Sequence, residues 1–141
     1  MNDEDFEAQR QRILVFIERW PKTLGLGWWR MSYVYDRDGS AFEKAEIAGG
    51  IRSPTAARTV ADWRYLEATI TFNMPELVSE DDERLEYIFV HELMHVFLRE
   101  NREGIDADHI RHDWLDHEER VATTLAHAFI WCRDEAKEVQ A

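Results

Sequence analysis

The stretch that most constrains this chain is His91-Glu92-Leu93-Met94-His95, which lies inside the largely apolar run of residues 85–98. On an α-helix, residues four apart are neighbours on one face, with Cβ atoms roughly 5–6 Å apart. Two imidazoles at this spacing can reach one Zn²⁺, which takes nitrogen ligands at about 2.0–2.1 Å. Buried imidazoles need partners, and one metal ion serves both at once. The H-E-x-x-H pattern therefore predicts a helix that carries a metal site, with His91 and His95 as ligands.

The glutamate inside the motif predicts a catalytic group rather than a third ligand. At 3.6 residues per turn, Glu92 lies about 100° further round the helix than His91. From that position its carboxylate can hydrogen-bond a metal-activated water, take the proton as the water attacks a carbonyl, and pass it to the leaving amine. We interpret Glu92 as a general base. The competing interpretation is a buried helix whose two histidines bond only to backbone carbonyls or carboxylates.

Composition limits the size, the partners and the compartment of the protein. A chain of 141 residues with 45% hydrophobic and 33% charged residues predicts one domain, residues 1–141. The net charge of −12 argues against nucleic acid and acidic membranes as partners. One cysteine, Cys132, excludes an internal disulfide and a cysteine-based zinc site, and we expect it to be buried. With no leader sequence or membrane-spanning run recognised, the expected location is the cytoplasm.

The order of predicted elements is a helix, three strands, the motif helix and a last helix, which is an α+β class with a small three-stranded sheet. Pro21 and the glycines after it are expected to end the first helix, and Ser79 to cap the motif helix. The predicted elements are helix 3–20, strand 28–35, a strand within 42–51, strand 65–72, motif helix 80–99 and a last helix from 113 or 116 to about 138.

Two histidines need a third protein ligand to hold a catalytic zinc. A third His six residues beyond His95 would indicate a metzincin, but that residue is Asn101. Candidates after the motif helix are His109, His112, His117, Glu118, Glu119 and, less favoured, Asp108 and Asp113.

On the last helix, Glu119 lies on the same side as an apolar stripe at 122, 125, 126, 129 and 130. This stripe is slightly more apolar than the one counted from Glu118, which includes Thr124. Thr123 follows one turn later, where its hydroxyl can orient a metal-bound His. The competing interpretation is that Asp116 and Glu119 form a capping box. His127 lies on the same side, and we expect it at the surface.

Together the two motifs resemble the ImmA/IrrE-type metallopeptidases and related minimal gluzincins, whose second motif is E-x-x-A-N-x-F-A. The corresponding stretch here runs from Glu119 through Ala122 to Ala126, with Thr123 in place of Asn or Asp and Leu125 in place of Phe. The resemblance covers about residues 80–130. Small acidic members of this kind are common in phage and prophage.

The resemblance implies a zincin-like core, in which the edge strand of a small sheet binds an extended peptide above two crossed helices. Strand 65–72 is the expected edge. The implied protein is a zinc-dependent metalloendopeptidase that acts on a protein or peptide, a regulator being one candidate. Its Zn²⁺ would be held by His91, His95 and Glu119, with Glu92 as the base.

Two alternatives remain open from the sequence. One is a non-catalytic, metal-stabilised interaction or regulatory module, whose site is closed by a fourth protein ligand such as His109 or His112. The other is an SprT-like peptidase, which would use a third His and work near DNA; the acidic charge disfavours it.

Overall fold

The computed structural model describes residues 1–42, 55–103 and 112–140. Within these ranges the chain forms four helices and a three-stranded mixed sheet, which confirms the α+β class. The elements, in order, are α1 (Asp3–Thr23), β1 (Arg30–Asp36), β2 (Ala57–Asp62), β3 (Glu67–Asn73), α2 (Met74–Leu77), α3 (Asp82–Glu103) and α4 (His112–Gln140). No helix of these ranges has the length and apolar character that crossing a bilayer requires.

Helix α1 begins at an asparagine cap, where the Asp5 amide donates to Asn2 Oδ1 at 2.7 Å. It packs an apolar stripe that includes Trp20 into the core. The expectation that Pro21 ends the helix is wrong, because α1 continues to Thr23. Pro21 lies in the last turn, so its missing N–H removes one helical hydrogen bond without breaking the turns before it.

The strands are ordered β1-β3-β2, with β3 parallel to β1 and antiparallel to β2. Ala68, Ile70 and Phe72 of β3 are buried, as their alternation predicts. The expectation that this strand forms the edge is wrong: β3 pairs on both sides and is the central strand. Among the described residues, β1 and β2 each pair with β3 alone. The edges of the sheet in this part of the chain are therefore β1 and β2.

Strand β2 was not predicted. The strand expected within residues 42–51 falls almost wholly outside the described residues, so that expectation stays a prediction. Ala57 and Ala61 provide the buried positions of β2, and alanine has low β-propensity, which hides the strand in the sequence. The loop after β1 includes Gly39, with φ +74°, and a Cβ there would lie 2.9 Å from Asn73 Oδ1.

Helix α3 is the centre of the molecule and packs against α1, β2 and α4. Its cap is Asp81 rather than Ser79, since Asp81 Oδ1 accepts from the Arg84 amide at 2.8 Å. Its completely buried side chains include Phe89, Val90, Leu93, Met94 and Val96.

A buried polar cluster joins α1, α3 and α4 through Glu86, whose side chain is 8% exposed. Trp20 Nε1 donates to Glu86 Oε1 at 2.7 Å, and the Arg133 guanidinium forms an ion pair with the same oxygen. This cluster holds the second half of α4 against α3.

Cys132, next to Arg133 on α4, is exposed, so the expectation that it is buried is wrong.

Candidate metal centre

Where α3 crosses α4, two imidazoles and one carboxylate meet. His91 Nε2 and His95 Nε2 lie 3.2 Å apart, as expected for residues four apart on a helix. Glu119 of α4 places one oxygen 3.1 Å from His91 Nε2 and the other 3.0 Å from His95 Nε2. The structure therefore brings together the three residues that the sequence suggests as ligands.

The separations of these donor atoms fit a zinc site. Ligands at about 2.0–2.1 Å from a tetrahedral ion lie roughly 3.3–3.4 Å from each other, and the three separations here are 3.0, 3.1 and 3.2 Å. Two neutral imidazoles and a carboxylate are also a set that Zn²⁺ prefers. The imidazoles are 14% and 13% exposed and the Glu119 side chain is 60% exposed. The site is therefore open to solvent on the Glu119 side.

The second nitrogen of each imidazole also has a partner on α4. His95 Nδ1 lies 2.9 Å from Glu118 Oε1, and the Glu118 side chain is only 7% exposed. His91 Nδ1 lies 3.4 Å from the Thr123 hydroxyl, which was suggested for this role. Such partners fix the orientation and tautomer of a ligating histidine. Consecutive residues of α4, Glu118 and Glu119, thus contact opposite nitrogens of His95.

Glu92 is buried at the boundary between α3 and β2. Its carboxylate accepts a short hydrogen bond from Thr59 Oγ1. One carboxylate oxygen of Glu92 and one nitrogen from each imidazole lie within 4.8 Å of one another. Burial raises the pKa of Glu92, an effect that the Thr59 hydrogen bond and the two histidines oppose. A carboxylate with a raised pKa is a stronger base, and here it lies beside the donor atoms.

The histidines and Glu119 shift each other's pKa values. Burial opposes the charged form of His95, but hydrogen bonds to Glu118 and Glu119 outweigh it and raise the pKa of His95 to about 9. Hydrogen bonds to His91 and His95 hold the pKa of Glu119 well below its usual range. Without an ion, a shared proton therefore partly neutralises the cluster.

A cleft of about 330 Å³ opens beside the cluster. Thr55, Ala56 and Ala57, at the start of β2, form one wall, and α3 forms the other with Arg84, Tyr87 and Ile88. His91, Glu92 and Glu119 also line it. The cleft therefore borders both the donor cluster and Glu92.

Of the remaining candidate ligands, His117 has a described side chain, and it does not join the cluster. His117 is exposed on α4. Asp108 and His109 lie outside the described residues, and His112 and Asp113 begin α4 with side chains outside the description, so their roles stay predictions. The capping-box interpretation is wrong, because α4 begins at His112 and its fifth residue, Asp116, lies inside the helix.

Three contacts of the site were not foreseen. Thr59 belongs to the strand that the sequence hides. From the sequence, Glu118 was considered only as an alternative ligand to Glu119. Two adjacent acidic residues could have suggested that one binds the metal and the other binds the second nitrogen of a histidine. Tyr87 stacks on His127 with ring centroids 4.5 Å apart, and His127 is exposed as expected.

Comparison of the chain with family models, with curated proteins and with solved structures found no match. The features that indicate a function are therefore the donor cluster, Glu92 and the cleft.

Proposed function

We propose that this chain is a zinc-dependent metallopeptidase of the gluzincin type, with a zincin-like arrangement resembling the small ImmA/IrrE-like enzymes. The observation that carries the proposal is the triangle of donors formed by His91 Nε2, His95 Nε2 and the Glu119 carboxylate, with sides of 3.0 to 3.2 Å. In a purely structural pair, each nitrogen would bond to a partner of its own, and the two Nε2 atoms would have no reason to face each other. Here the nitrogens point at each other and at one carboxylate, which suits a shared cation.

The ligands of the proposed site are His91, His95 and Glu119, and Glu118 and Thr123 orient the imidazoles. When bound, Zn²⁺ supplies Lewis acidity, which lowers the pKa of water and polarises a carbonyl. Three protein ligands with an open side are the arrangement of catalytic rather than structural zinc. A site closed by a fourth protein ligand would instead support the non-catalytic module.

Glu92 is the proposed proton carrier. Its burial favours acceptance of a proton, and Thr59 Oγ1 holds the carboxylate in place while donating to it. The carboxylate takes a proton from the attacking water and gives it to the leaving amine, so that the same group acts as base and then acid. Its place within 4.8 Å of the histidine nitrogens supports this role.

The proposed substrate is an extended segment of a protein or peptide, which adds to the sheet at β2. β2 replaces the strand that the sequence suggested for this role. It follows α3 in the same direction. Its start shares the cleft with Arg84, Tyr87 and Ile88. Further along, Thr59 contacts Glu92, and residues 60–62 line a second cleft with Arg99. A peptide along β2 would therefore pass over the donor cluster.

The test is the substitution Glu92→Gln in the zinc-loaded protein. Denatured casein is the probe, and released peptides are counted by mass spectrometry. We expect Glu92→Gln to lower the cleavage rate by about 10²–10⁴-fold, since it removes general base catalysis, while one zinc per chain is retained.

The matched control is Glu83→Gln, the same substitution at an exposed position in the first turn of α3. It should leave cleavage unchanged. Equal cleavage by wild type and Glu92→Gln, or zinc coordinated by four protein atoms with no open position, would overturn the proposal.

A further inference from the structure

The cleft beside the donor cluster contains a positive charge that the proposed chemistry does not use. Arg84 lies on the first turn of α3 and is exposed. Its guanidinium forms no hydrogen bond or ion pair with any residue in the described ranges, and its contact there is the ring of Tyr87, 4.9 Å from the guanidinium carbon to the centroid. Arg84 is also the only permanent cation among the described residues that line this cleft.

Aromatic stacking holds this guanidinium in position. The Tyr87 ring contacts the Arg84 guanidinium and two histidines: it stacks on His127 of α4, with centroids 4.5 Å apart, and lies tilted to His91, with centroids 5.9 Å apart. A cation over an aromatic face is attracted to it, and stacking limits the freedom of the side chain. The planar N–H groups of the guanidinium remain available for a ligand.

The position of Arg84 limits how far from the scissile bond a substrate group that binds it can lie. Because Tyr87 lies 4.9 Å from the guanidinium and 5.9 Å from the His91 ring, Arg84 is no more than about 11 Å from that imidazole, roughly three residues of extended chain. The residue also lines the same cleft as the start of β2. A peptide added to β2 would therefore pass Arg84 a few residues from the bond that is cut.

We propose that Arg84 is a carboxylate-binding subsite, which selects substrates with a carboxylate within about three residues of the scissile bond. The proposal rests on the proposed peptidase function. A guanidinium recognises a carboxylate through two parallel hydrogen bonds. Although the chain has a net charge of −12, the exposed Arg84 guanidinium gives an acidic segment a local attraction within this cleft. The carboxylate comes from an Asp or Glu side chain or from the end of the substrate chain.

The experiment measures both cleavage and binding, so that the subsite and the peptidase activity are tested separately. For cleavage, a random decapeptide library is incubated with the zinc-loaded protein, and cut sites are read by mass spectrometry. One half of the library has amidated ends and the other has free C-termini, which distinguishes an acidic side chain from a terminal carboxylate. For binding, the Glu92→Gln protein is applied to an array of matched peptides with Glu, Gln or Lys at each position.

In the wild type we expect a preference for one carboxylate position of about fivefold to tenfold, the range for a charge-assisted hydrogen bond at a partly exposed site. Arg84→Gln should remove the preference, and Arg84→Glu should move it to Lys or Arg at the same position. Arg19→Gln, an exposed arginine on α1 outside the cleft, is the matched control and should change nothing. Circular dichroism checks that each variant is folded.

Each outcome separates the two proposals. Cleavage that depends on Glu92, with no carboxylate preference or with a preference that Arg84→Glu does not move, overturns the subsite and leaves the peptidase standing. Binding of acidic peptides that Arg84→Glu abolishes, without any cleavage, supports the subsite and overturns the peptidase. The absence of both cleavage and acidic binding overturns both.

Discussion

Two buried polar clusters lie on α3, five residues apart, and both connect it to α4. In the first, the Glu86 carboxylate accepts from Trp20 Nε1 and pairs with the Arg133 guanidinium. Every charge there has a protein group of opposite sign or a donor. In the second, the Nε2 atoms of His91 and His95 and the carboxylate of Glu119 converge within 3.2 Å of one another.

The difference concerns which groups complete each cluster. The Glu86 cluster is complete within the protein, so its expected role is to hold three helices together. The histidine cluster consists of electron-pair donors that face each other, and it requires a proton or a cation from outside. Burial of polar groups therefore does not by itself mark a functional site. The direction of the lone pairs distinguishes the two clusters, and the predictions below test that contrast.

The largest expected effect is on zinc affinity, from two neighbouring substitutions on α4. Glu119→Gln removes a donor and should weaken zinc binding more than any other change outside the two histidines. Glu118→Gln removes only the partner of His95 Nδ1, and changes of that kind cost about 10–100-fold in affinity. Competition with a chromophoric chelator measures both Kd values. A larger loss for Glu118→Gln would reverse the assignment of the two residues.

The next effect is on stability and should leave zinc untouched. Arg133→Met leaves the Glu86 carboxylate buried beside the Trp20 indole alone, which should cost about 2–3 kcal/mol, because the Arg133 side chain is partly exposed. Urea unfolding measures the loss. Adding Glu86→Gln keeps an acceptor for the indole and removes the unpaired charge, so the double variant should regain part of the stability. A change in zinc Kd beyond about threefold in either variant would contradict the separation of the clusters.

The metal-free protein should lose stability as the pH rises. The pKa of His95 is raised to about 9 in the folded chain, from an ordinary value of 6.5. The folded state therefore keeps a proton that the unfolded chain releases, so this stability is complete below about pH 6.5 and lost towards pH 9. The loss is on the order of 3 kcal/mol.

Urea unfolding with a chelator, at pH 6.5 and pH 9.5, measures that loss. His95→Gln should remove most of the difference between the two pH values. His127→Gln, at an exposed histidine, is the control and should retain it. An unchanged pH dependence in His95→Gln would show that other groups cause it.

The smallest effect is expected from Thr123→Val. The Thr123 hydroxyl lies 3.4 Å from His91 Nδ1, longer than a good hydrogen bond. We expect zinc affinity to fall less than about tenfold. This is at or below the smallest loss usually seen when a hydrogen-bond partner of a ligating histidine is removed. Thr124→Val, at the exposed neighbouring position, is the control. A loss of zinc affinity equal to that of Glu118→Gln would show that Thr123 contributes as much to zinc binding as the Glu118 carboxylate.

The sequence predicted the parts of the fold and site that depend on local periodicity. The H-E-x-x-H spacing places both imidazoles on one face of α3. The stripe behind Glu119 gives the register of α4 in part, because Ala122 and Ala126 are buried whereas Phe129 of the same stripe is exposed. The α+β class and the alternation of β3 follow from the same kind of pattern.

The parts that sequence reasoning missed depend on tertiary pairing. Nothing local in residues 57–62 indicates a strand, because the buried positions are alanines, and so the contact of Thr59 with Glu92 was invisible. The order of strands was missed because strand pairing across the sheet does not follow chain order: β1 pairs with β3 in parallel. The expected strand began at residue 65, but β3 begins at Glu67, because Leu66 has a φ of +50° and is not extended. Leu66 was not identified as a turn residue from the sequence.

The two clusters also fix where α4 lies along α3. Arg133 contacts Glu86 towards one end of the shared surface, and Glu118 and Glu119 contact His95 towards the other. A slide of α4 by one helical turn, about 5.4 Å, would break the contacts at both ends together. The Arg133–Glu86 ion pair therefore also fixes the axial position of α4 along α3, and this keeps Glu118 and Glu119 within reach of the imidazoles.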